Sequence, residues 1–302
     1  MQYSETRKLL GTSIEITVVS EDPKTPERIG YVFDYFYSIE QEFSRFLPDS
    51  SLSLLNKYKK MSVSKRFLEL MEISKKMYRE TNGFFNPLVS VAKLGYQNSF
   101  EQGKFEPVEG TVDTNFDKIQ IEGDVITLEP GQSLDFGGIG KGWAVDKGSS
   151  LLRLFGYENF FINAGGDIYA SGNREVGKIG WVIGVENPFT EDVIASLVLK
   201  NSAIATSGSY KRKWDINEKK YHHLINPITS GNENAIVSVT LIASECAKTD
   251  GFTKSIFNAP VSDGLRLIEQ NDMEGLIFTS SGQLLYSKGL QEKYELDFGE
   301  TN

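Results

Sequence analysis

A glycine-rich segment with one lysine, LDFGGIGKGWAVDKG at 134–148, has the composition of a phosphate-binding loop. It places a carboxylate at Asp135, three glycines in the next five positions and an ammonium group at Lys141, and a helical pattern follows. Glycine lets a backbone approach a ligand closely, and the first turn of a helix presents unpaired N–H groups to anions. The spacing matches neither the P-loop nor the dinucleotide fingerprint. A phosphate site and a tight strand-to-helix turn with a surface lysine are both open readings.

A second glycine turn, FINAGGDIYASG at 161–172, is typical of a strand–turn–strand hairpin. Asn163 and Asp167 bracket the turn and could reach a ligand, and Gly166 within it is a candidate cofactor-binding residue. The alternative is a hairpin whose polar side chains bond only to the turn backbone.

The segment HHLINPITSG at 222–231 contains the only two histidines of the chain, His222 and His223. Histidine is the ordinary proton-transfer group near neutral pH, so the pair is a candidate acid or base. A surface turn without chemical function is the alternative.

The predicted helix ECAKTDGFTKSIFNA at 245–259 carries Asp250, Thr253 and Lys254. Residues three or four apart share a helix face, so Asp250 can meet either of the other two. Magnesium prefers carboxylates together with substrate phosphates, which makes Asp250 a candidate metal ligand. An ordinary ion pair between Asp250 and Lys254 explains the same pattern.

Two aromatic, turn-rich segments, 43–56 and 81–89, contain Phe46, Phe84 and Phe85. These rings could stack on a flat heterocycle or fill the core of the protein. The composition of the segments does not separate the two readings.

The elements that must position these segments form an α+β pattern. Residues 13–19 alternate as a half-buried strand does, and helices are predicted after Thr25-Pro26, at about 64–80, after 142 and at 244–258. Short strands are predicted on both sides of Gly123 and near residues 160, 169, 183, 198 and 240. Because the strands cluster without a βαβ rhythm, mixed or antiparallel sheets flanked by helices are expected rather than a Rossmann sheet.

Bulk properties narrow the class of protein. The 302 residues include 32 basic and 41 acidic side chains, a net charge of −9 that disfavours general nucleic-acid binding. Cys246 is the only cysteine, which excludes an internal disulfide, and no segment approaches the length of a membrane span. We expect one domain over 1–302, with a subdomain boundary near 103–112 as an option, in a cytoplasmic protein because no signal peptide is recognisable.

Taken in chain order, these segments resemble the ApbE family, the FAD:protein FMN transferases. The matching run comprises Leu10-Gly11-Thr12, FSRFLPDSSLSLLN, TNGFFNPLV, LDFGGIGKGWAVD, FINAGGDIYASG, WVIGVENP, AIATSGSY, HHLINPITSG and the aspartate helix. The resemblance implies an FAD pocket between the glycine-rich loop and the aspartate helix, with bound Mg²⁺. It also implies transfer of FMN to a Ser or Thr hydroxyl of an acceptor flavoprotein, at a Ser/Thr-Gly-Ala-Thr type of target, with release of AMP.

The resemblance also assigns roles to individual residues. The side chains or backbone implied to contact FAD are Leu10, Phe46, Phe84, Phe85, Asn86, Asp135 and Lys141. The carbonyl of Gly138 and the carboxylate of Asp250 correspond to metal ligands, and His223 corresponds to a histidine near the flavin diphosphate. Because the attacking hydroxyl must lose its proton, His223 is a candidate base, and Asp250 is the second catalytic candidate.

Two positions depart from the family pattern. Lys254 stands four residues after Asp250, where the family usually has a threonine that helps to hold the metal ion. Thr253 lies about 100° away around the helix and would not simply replace that threonine. Asn86 stands where the family usually has an aspartate. An ammonium group at Lys254 would either repel a cation or take its place beside the phosphates.

Three hypotheses follow. The first is FMN transfer to a protein hydroxyl. The second is an FAD-binding carrier or regulator without transfer activity, suggested by Lys254. The third is an FAD hydrolase that gives FMN and AMP because water replaces the protein hydroxyl.

Overall fold

The computed structural model describes residues 1–89, 113–175, 177–190, 192–210, 213–216, 219–229, 231 and 235–298. These residues form seven α-helices: α1 (Thr25–Phe43), α2 (Ser51–Tyr58), α3 (Lys65–Glu80), α4 (Gly140–Leu154), α5 (Cys246–Asn258), α6 (Val261–Gln270) and α7 (Gly289–Tyr294). The optional subdomain boundary near 103–112 lies outside the described residues.

The same residues form fifteen β-strands. The first seven are β1 (Gln2–Leu9), β2 (Thr12–Val19), β3 (Lys60–Ser62), β4 (Gln120–Glu122), β5 (Val125–Thr127), β6 (Phe160–Ala164) and β7 (Asp167–Ser171). The others are β8 (Trp181–Glu186), β9 (Val193–Leu199), β10 (Ser202–Gly208), β11 (Lys213–Ile216), β12 (Lys219–His222), β13 (Ile236–Ala243), β14 (Glu274–Thr279) and β15 (Leu284–Tyr286).

An eight-stranded antiparallel sheet is the centre of the molecule. Its strand order is β1-β2-β6-β7-β10-β13-β14-β15, and every neighbouring pair is antiparallel. Helices α4 and α5 pack side by side on its middle strands, and α1 packs on β1 and α4. Three smaller sheets, β3-β5-β4, β8-β9 and β11-β12, lie outside it. The α+β prediction with antiparallel sheets is therefore confirmed.

The middle strands of this sheet are buried on both faces. Leu241 and Ile277 belong to the core cluster under the helices, whereas their neighbours Ile242 and Leu276 belong to a second cluster on the opposite face. Side chains alternate across a strand, so a strand covered on both sides must be apolar at nearly every position. This explains the continuous apolar run IVSVTLIA of β13.

The predicted helices largely match those of the structure. The predicted face of α1 is buried, and α3 begins after Ser64, whose Oγ accepts a hydrogen bond from the N–H of Phe67 at 3.1 Å. The strand β1 was not predicted, because its polar sequence at the sheet edge shows no apolar alternation. The short helix α2 was also missed, although Ser50 caps it.

None of the helices in the described part of the chain is both long enough and apolar enough to cross a membrane.

Candidate functional site

A cavity of about 620 Å³ opens where the β1–β2 turn, the end of α1, the glycine-rich loop at the start of α4 and the end of α5 approach one another. The β1–β2 turn, the end of α1 and the segment after it form one side. The residues before α4, the start of α4, residues 223–227 and the end of α5 form the other. Ligand pockets commonly have volumes of about 300–1,000 Å³, so a molecule of cofactor size fits here.

The structure brings most of the predicted site residues to this cavity. Those that line it are Leu10, Phe46, Phe84, Phe85, Asn86, Asp135, Gly138, Lys141 and His223. The two exceptions are Gly166 and Asp250, and Asp250 is fully buried. The roles of these residues stay predictions. Their position around one cavity is a property of the fold.

Lys141 stands in the first turn of α4 and is held there by Asp167, the first residue of β7. Asp167 is buried, with only 3% of its side chain exposed, so Lys141 supplies its counter-charge. A buried carboxylate without a cation would be costly, which fixes the ammonium group of Lys141 at the cavity wall.

Gly166 is not among the residues that line the cavity, and its cofactor-binding role stays a prediction. It forms the β6–β7 turn with Gly165; both have positive φ, and the N–H of Gly166 donates to Oδ1 of Asn163 at 2.8 Å. The hydrogen bond from the turn backbone to Asn163 favours the interpretation of this segment as a strand–turn–strand hairpin. Its contribution to the site is indirect, because the turn places Asp167 beside Lys141.

Asp250 is fully buried between α4 and α5. Its Oδ2 accepts a hydrogen bond from the N–H of Gly142 at 3.0 Å, and its Oδ1 contacts Nζ of Lys254. The predicted pairing of Asp250 with Lys254 is therefore present, but inside the protein rather than on its surface. Asp250 does not itself line the cavity, and its catalytic role stays a prediction.

Thr253 does not take over the role of the missing threonine. Its Oγ1 donates to the carbonyl oxygen of Asp250 at 2.7 Å and shares a hydrogen bond with Oγ of Ser207 at 2.8 Å. The hydroxyl therefore faces β10, as expected from its position around the helix.

Gly142 allows α4 and α5 to approach this closely. A Cβ atom there would lie 2.7 Å from Cβ of Asp250 and still closer to the carbonyl oxygen of Cys246. We expect Gly142→Ala to lower the free energy of unfolding by about 1–3 kcal/mol, because overpacking outweighs the better helix propensity of alanine. Urea denaturation of the purified variant measures this difference.

Gly140→Ala is the matched control. A Cβ at Gly140 would meet Cβ of Phe136 at 3.6 Å, an ordinary contact. This control is expected to leave stability nearly unchanged; equal losses in both variants would contradict the close packing of the two helices at Gly142.

Arg45 is a site residue that the sequence analysis missed. Its Nε lies 3.4 Å from Oδ2 of Asp135, and its guanidinium group lies 4.3 Å from the ring centroid of Phe46. Oδ1 of Asp135 accepts from the N–H of Gly137 at 2.8 Å, so this carboxylate joins the glycine loop to Arg45. The available signal was a single cation between two aromatic residues in FSRF.

The aromatic candidates divide into two kinds. Phe46 is 40% exposed at the cavity rim, which suits stacking on a planar ligand. Phe85 is 4% exposed and belongs to the main core cluster. Its ring therefore fills the core, although it also forms part of the cavity wall.

The β1–β2 turn holds Leu10 in an unusual conformation. Leu10 has φ +53° and is followed by Gly11 with φ +67°, and the N–H of Leu10 donates to Oε1 of Glu40 at 2.7 Å. A left-handed leucine is uncommon and persists only where surrounding contacts hold it. Glu40, on α1, therefore positions this wall of the cavity and is a second residue that the sequence analysis missed.

His223 lines the cavity on the segment that follows β12. This segment is joined to the end of α5 by two hydrogen bonds, from Asn226 Nδ2 to the carbonyl oxygen of Asn258 (3.2 Å) and from Asn258 Nδ2 to that of Ile225 (3.1 Å). His222 instead accepts from the N–H of Leu224 and packs edge-on against Phe257. Of the two histidines, His223 is therefore the candidate base.

Helix α5 begins with a cap supplied by α4. The Asp146 carboxylate accepts hydrogen bonds from the N–H groups of Cys246 and Ala247, both at 2.8 Å. The pKa of Asp146 is raised from its usual 3.8 to about 6, mainly by burial and to a smaller extent by the nearby charge of Glu245. The two backbone hydrogen bonds and the charge of Arg153 lower the pKa but do not cancel this effect. The cap thus orders the helix that carries Asp250 and Lys254.

The raised pKa predicts the direction of a pH effect. The folded protein holds the Asp146 proton more tightly than the unfolded chain, so this group's contribution to stability is full below pH 3.8 and is lost as pH rises through about 6. We expect Asp146→Asn to remove this part of the pH dependence and, because an amide can accept for only one N–H, to cost about 1–2 kcal/mol. Urea denaturation of both proteins between pH 4 and 7 tests this.

Glu122→Gln, on exposed β4, is the control and should leave the profile unchanged. Parallel profiles for wild type and Asp146→Asn would contradict the assignment of the pKa shift to Asp146.

Comparison with known proteins decides the family. The sequence model of the ApbE family matches residues 10–277. The chain belongs to the ApbE family. The ApbE match covers the cavity-lining residues from Leu10 to Asn258.

Relatives within the family share about a quarter of their residues with this chain. The FAD:protein FMN transferase of Klebsiella pneumoniae (strain 342) is 25% identical over 313 residues, which cover 98% of this chain and 96% of the relative. That of Chlamydia muridarum (strain MoPn / Nigg) is 26% identical over 267 residues, which cover 83% and 79%.

Solved ApbE structures have the same fold. The crystal structure of the ApbE protein from Thermotoga maritima aligns with a TM-score of 0.88 at 26% identity, over 97% of this chain and 99% of that chain. The flavin transferase ApbE from Vibrio cholerae aligns with a TM-score of 0.82 at 22% identity, over 97% and 99%, and supports the fold alone.

The residues present do not fit the Mg²⁺ ion that the ApbE resemblance implies. Among the described residues, no three or more acidic, histidine or cysteine side chains are grouped as metal ligands. Both carboxylate oxygens of Asp250 are engaged, by Gly142 and Lys254. The amide of Asn86 bonds instead to backbone, with Nδ2 donating to Thr114 and Oδ1 accepting from Leu88. The predicted metal site at Gly138 and Asp250 is therefore not supported.

Proposed function

We propose that this ApbE protein transfers FMN from FAD to a Ser or Thr hydroxyl of an acceptor protein and releases AMP. The observation that carries the proposal is the cavity itself, which combines an exposed aromatic ring at Phe46 with several cations. Three of these cations are anchored by their own carboxylates: Arg45 by Asp135, Lys141 by Asp167 and Lys254 by Asp250. The names of the relatives, FAD:protein FMN transferases, support the same activity.

The reaction exchanges the phosphoanhydride bond of FAD for a phosphoester bond to the acceptor. The acceptor oxygen attacks the phosphorus on the FMN side of the FAD diphosphate, the bond from that phosphorus to the bridging oxygen breaks, and AMP leaves with that oxygen. The hydroxyl proton passes to a base. Charge builds up on the phosphoryl and leaving oxygens, so cations fixed in advance lower the barrier.

Individual residues have separate tasks in this proposal. Lys141 and Arg45 neutralise phosphate oxygens, Phe46 stacks on a ring of FAD, and Leu10 shapes the opposite wall. His223 accepts the proton of the attacking hydroxyl, directly or through one water.

We further propose that the acceptor is a flavoprotein with a Ser/Thr-Gly-Ala-Thr type of target sequence. The target must be an exposed loop or chain terminus, because the hydroxyl has to enter the cavity to reach the phosphorus. The cytoplasmic location expected from the sequence stays a prediction, which cell fractionation would check.

Incubation of the purified protein with FAD and a target-sequence peptide tests the function. Mass spectrometry should detect peptide carrying FMN on the Ser or Thr, together with an equal amount of AMP; a peptide with alanine at that position is the control. FAD binding without a modified peptide under any condition would contradict transfer and support a carrier. AMP release without modified peptide would support the hydrolase instead.

Replacement of His223 tests the proposed base. His223→Gln should lower the transfer rate by about 100-fold with little change in FAD affinity, because general-base catalysis typically contributes that much. His222→Gln is the matched control; equal losses in both variants would contradict the assignment.

A further inference from the structure

The pair formed by Asp250 and Lys254 has an unusual position for an i,i+4 ion pair. Asp250 is fully buried, and Lys254 has 16% of its side chain exposed and lines the cavity. Exposed i,i+4 pairs contribute little to stability, whereas a buried carboxylate requires a cation. Lys254 is thus held by Asp250 from behind, with its outer side towards the ligand space.

The glycine-rich loop is the immediate neighbour of Lys254. A Cβ atom on Gly138 would lie 4.0 Å from Cγ of Lys254. The Lys254 side chain therefore passes beside Gly138, whose carbonyl the resemblance assigns to a metal ion together with the Asp250 carboxylate.

A divalent ion cannot share that place with the ammonium group. Mg²⁺ binds carboxylate oxygens at about 2.0–2.1 Å, and Oδ1 of Asp250 already contacts Nζ of Lys254. A metal ion on the same oxygen would face a positive charge at close range. Lys254 would have to leave its place beside Asp250.

We propose that Lys254 takes the place of the divalent metal ion, so that this protein binds FAD and transfers FMN without one. The inference rests on the proposed function and specifies how the site neutralises the FAD diphosphate. Asp250 orients the ammonium group as it would orient a metal ion, and the ammonium group faces the phosphates. Unlike a metal ion, this cation is covalently attached, so neither chelators nor metal supply regulate the site.

Binding measurements on the full chain test the proposal independently of transfer. FAD affinity is measured by flavin fluorescence in EDTA and in excess Mg²⁺, and Mn²⁺ binding in the presence of FAD is measured by electron paramagnetic resonance. The wild type should bind FAD equally well in both conditions and should bind no Mn²⁺ in the site. FAD affinity that rises about tenfold or more with Mg²⁺, or one equivalent of bound Mn²⁺, would overturn the proposal.

Replacing Lys254 with threonine should reverse this pattern. Lys254→Thr should bind FAD at least about tenfold more weakly in EDTA, recover with Mg²⁺ and bind one Mn²⁺ with FAD. Lys254→Arg keeps the charge beside Asp250 and should retain metal-independent binding, which keeps the test valid if the threonine variant folds poorly. An unchanged FAD affinity of Lys254→Thr in EDTA would overturn the proposal.

Lys248→Met is the matched control on the same helix. Nζ of Lys248 donates to the carbonyl oxygen of Asn271 at 2.6 Å, away from the cavity, so FAD affinity should not change. Transfer to the peptide is measured in parallel. If FAD binds as expected but no peptide is modified, the proposed function fails and the role of Lys254 in binding stands.

Discussion

Replacing Lys141 with methionine is expected to lower the rate of FMN transfer by about 100- to 1,000-fold. Loss of one fixed charge opposite a developing oxyanion typically has an effect of this size. The substitution also leaves the buried carboxylate of Asp167 without its cation, so the free energy of unfolding should fall by about 3–5 kcal/mol. Single-turnover transfer assays and urea denaturation measure the two effects.

The double variant Lys141→Met/Asp167→Asn separates charge from stability. It removes both members of the buried pair, so most of the lost stability should return while transfer stays slow. Lys147→Met is the control on the same helix, since Lys147 pairs with Glu69 outside the cavity. Normal transfer by the double variant would contradict a direct role of Lys141 at the phosphates.

The second large effect is expected for Asp250→Ala. It leaves the ammonium group of Lys254 without its carboxylate and the N–H of Gly142 without its acceptor. Breaking one member of a buried pair typically costs about 3–5 kcal/mol, and the displaced ammonium group should also weaken FAD binding. Urea denaturation and flavin fluorescence measure the two losses.

Asp263→Ala provides the comparison for Asp250. Asp263 pairs with Arg266 on α6, where both side chains are well exposed, and such pairs contribute about 0–1 kcal/mol. If Asp250→Ala cost no more than Asp263→Ala, the buried pair would not organise the site.

The fold class could be predicted from the sequence because the main helices and strands carry long apolar patterns. The face of α1 and the apolar run of β13 follow from helical spacing and from burial on both sides of a sheet. The edge strand β1 was not predicted, because its residues are polar apart from Tyr3 and Leu9 and its pairing with β2 depends on a tight turn at Leu10 and Gly11.

The candidate site was only partly accessible. The glycine-rich loop, the segment with His223 and the aspartate helix were recognisable by residue type and order. Arg45 and Glu40 were missed: the only signal for Arg45 was a single cation between aromatic residues in FSRF, and a single carboxylate in a helix has no local signature. Their roles arise from Asp135 and Leu10, which come from distant parts of the chain.

The amino-acid sequence alone determined the family, the helical and strand patterns, and the presence of Lys254 four positions after Asp250. It left open whether that pair was an ordinary surface ion pair, a hindrance to a metal ion or a replacement for it. Only the tertiary structure decided that Asp250 is buried beneath Gly142 and that Lys254 reaches the cavity. The reason is that burial and charge balance depend on packing between α4 and α5, which local sequence does not specify.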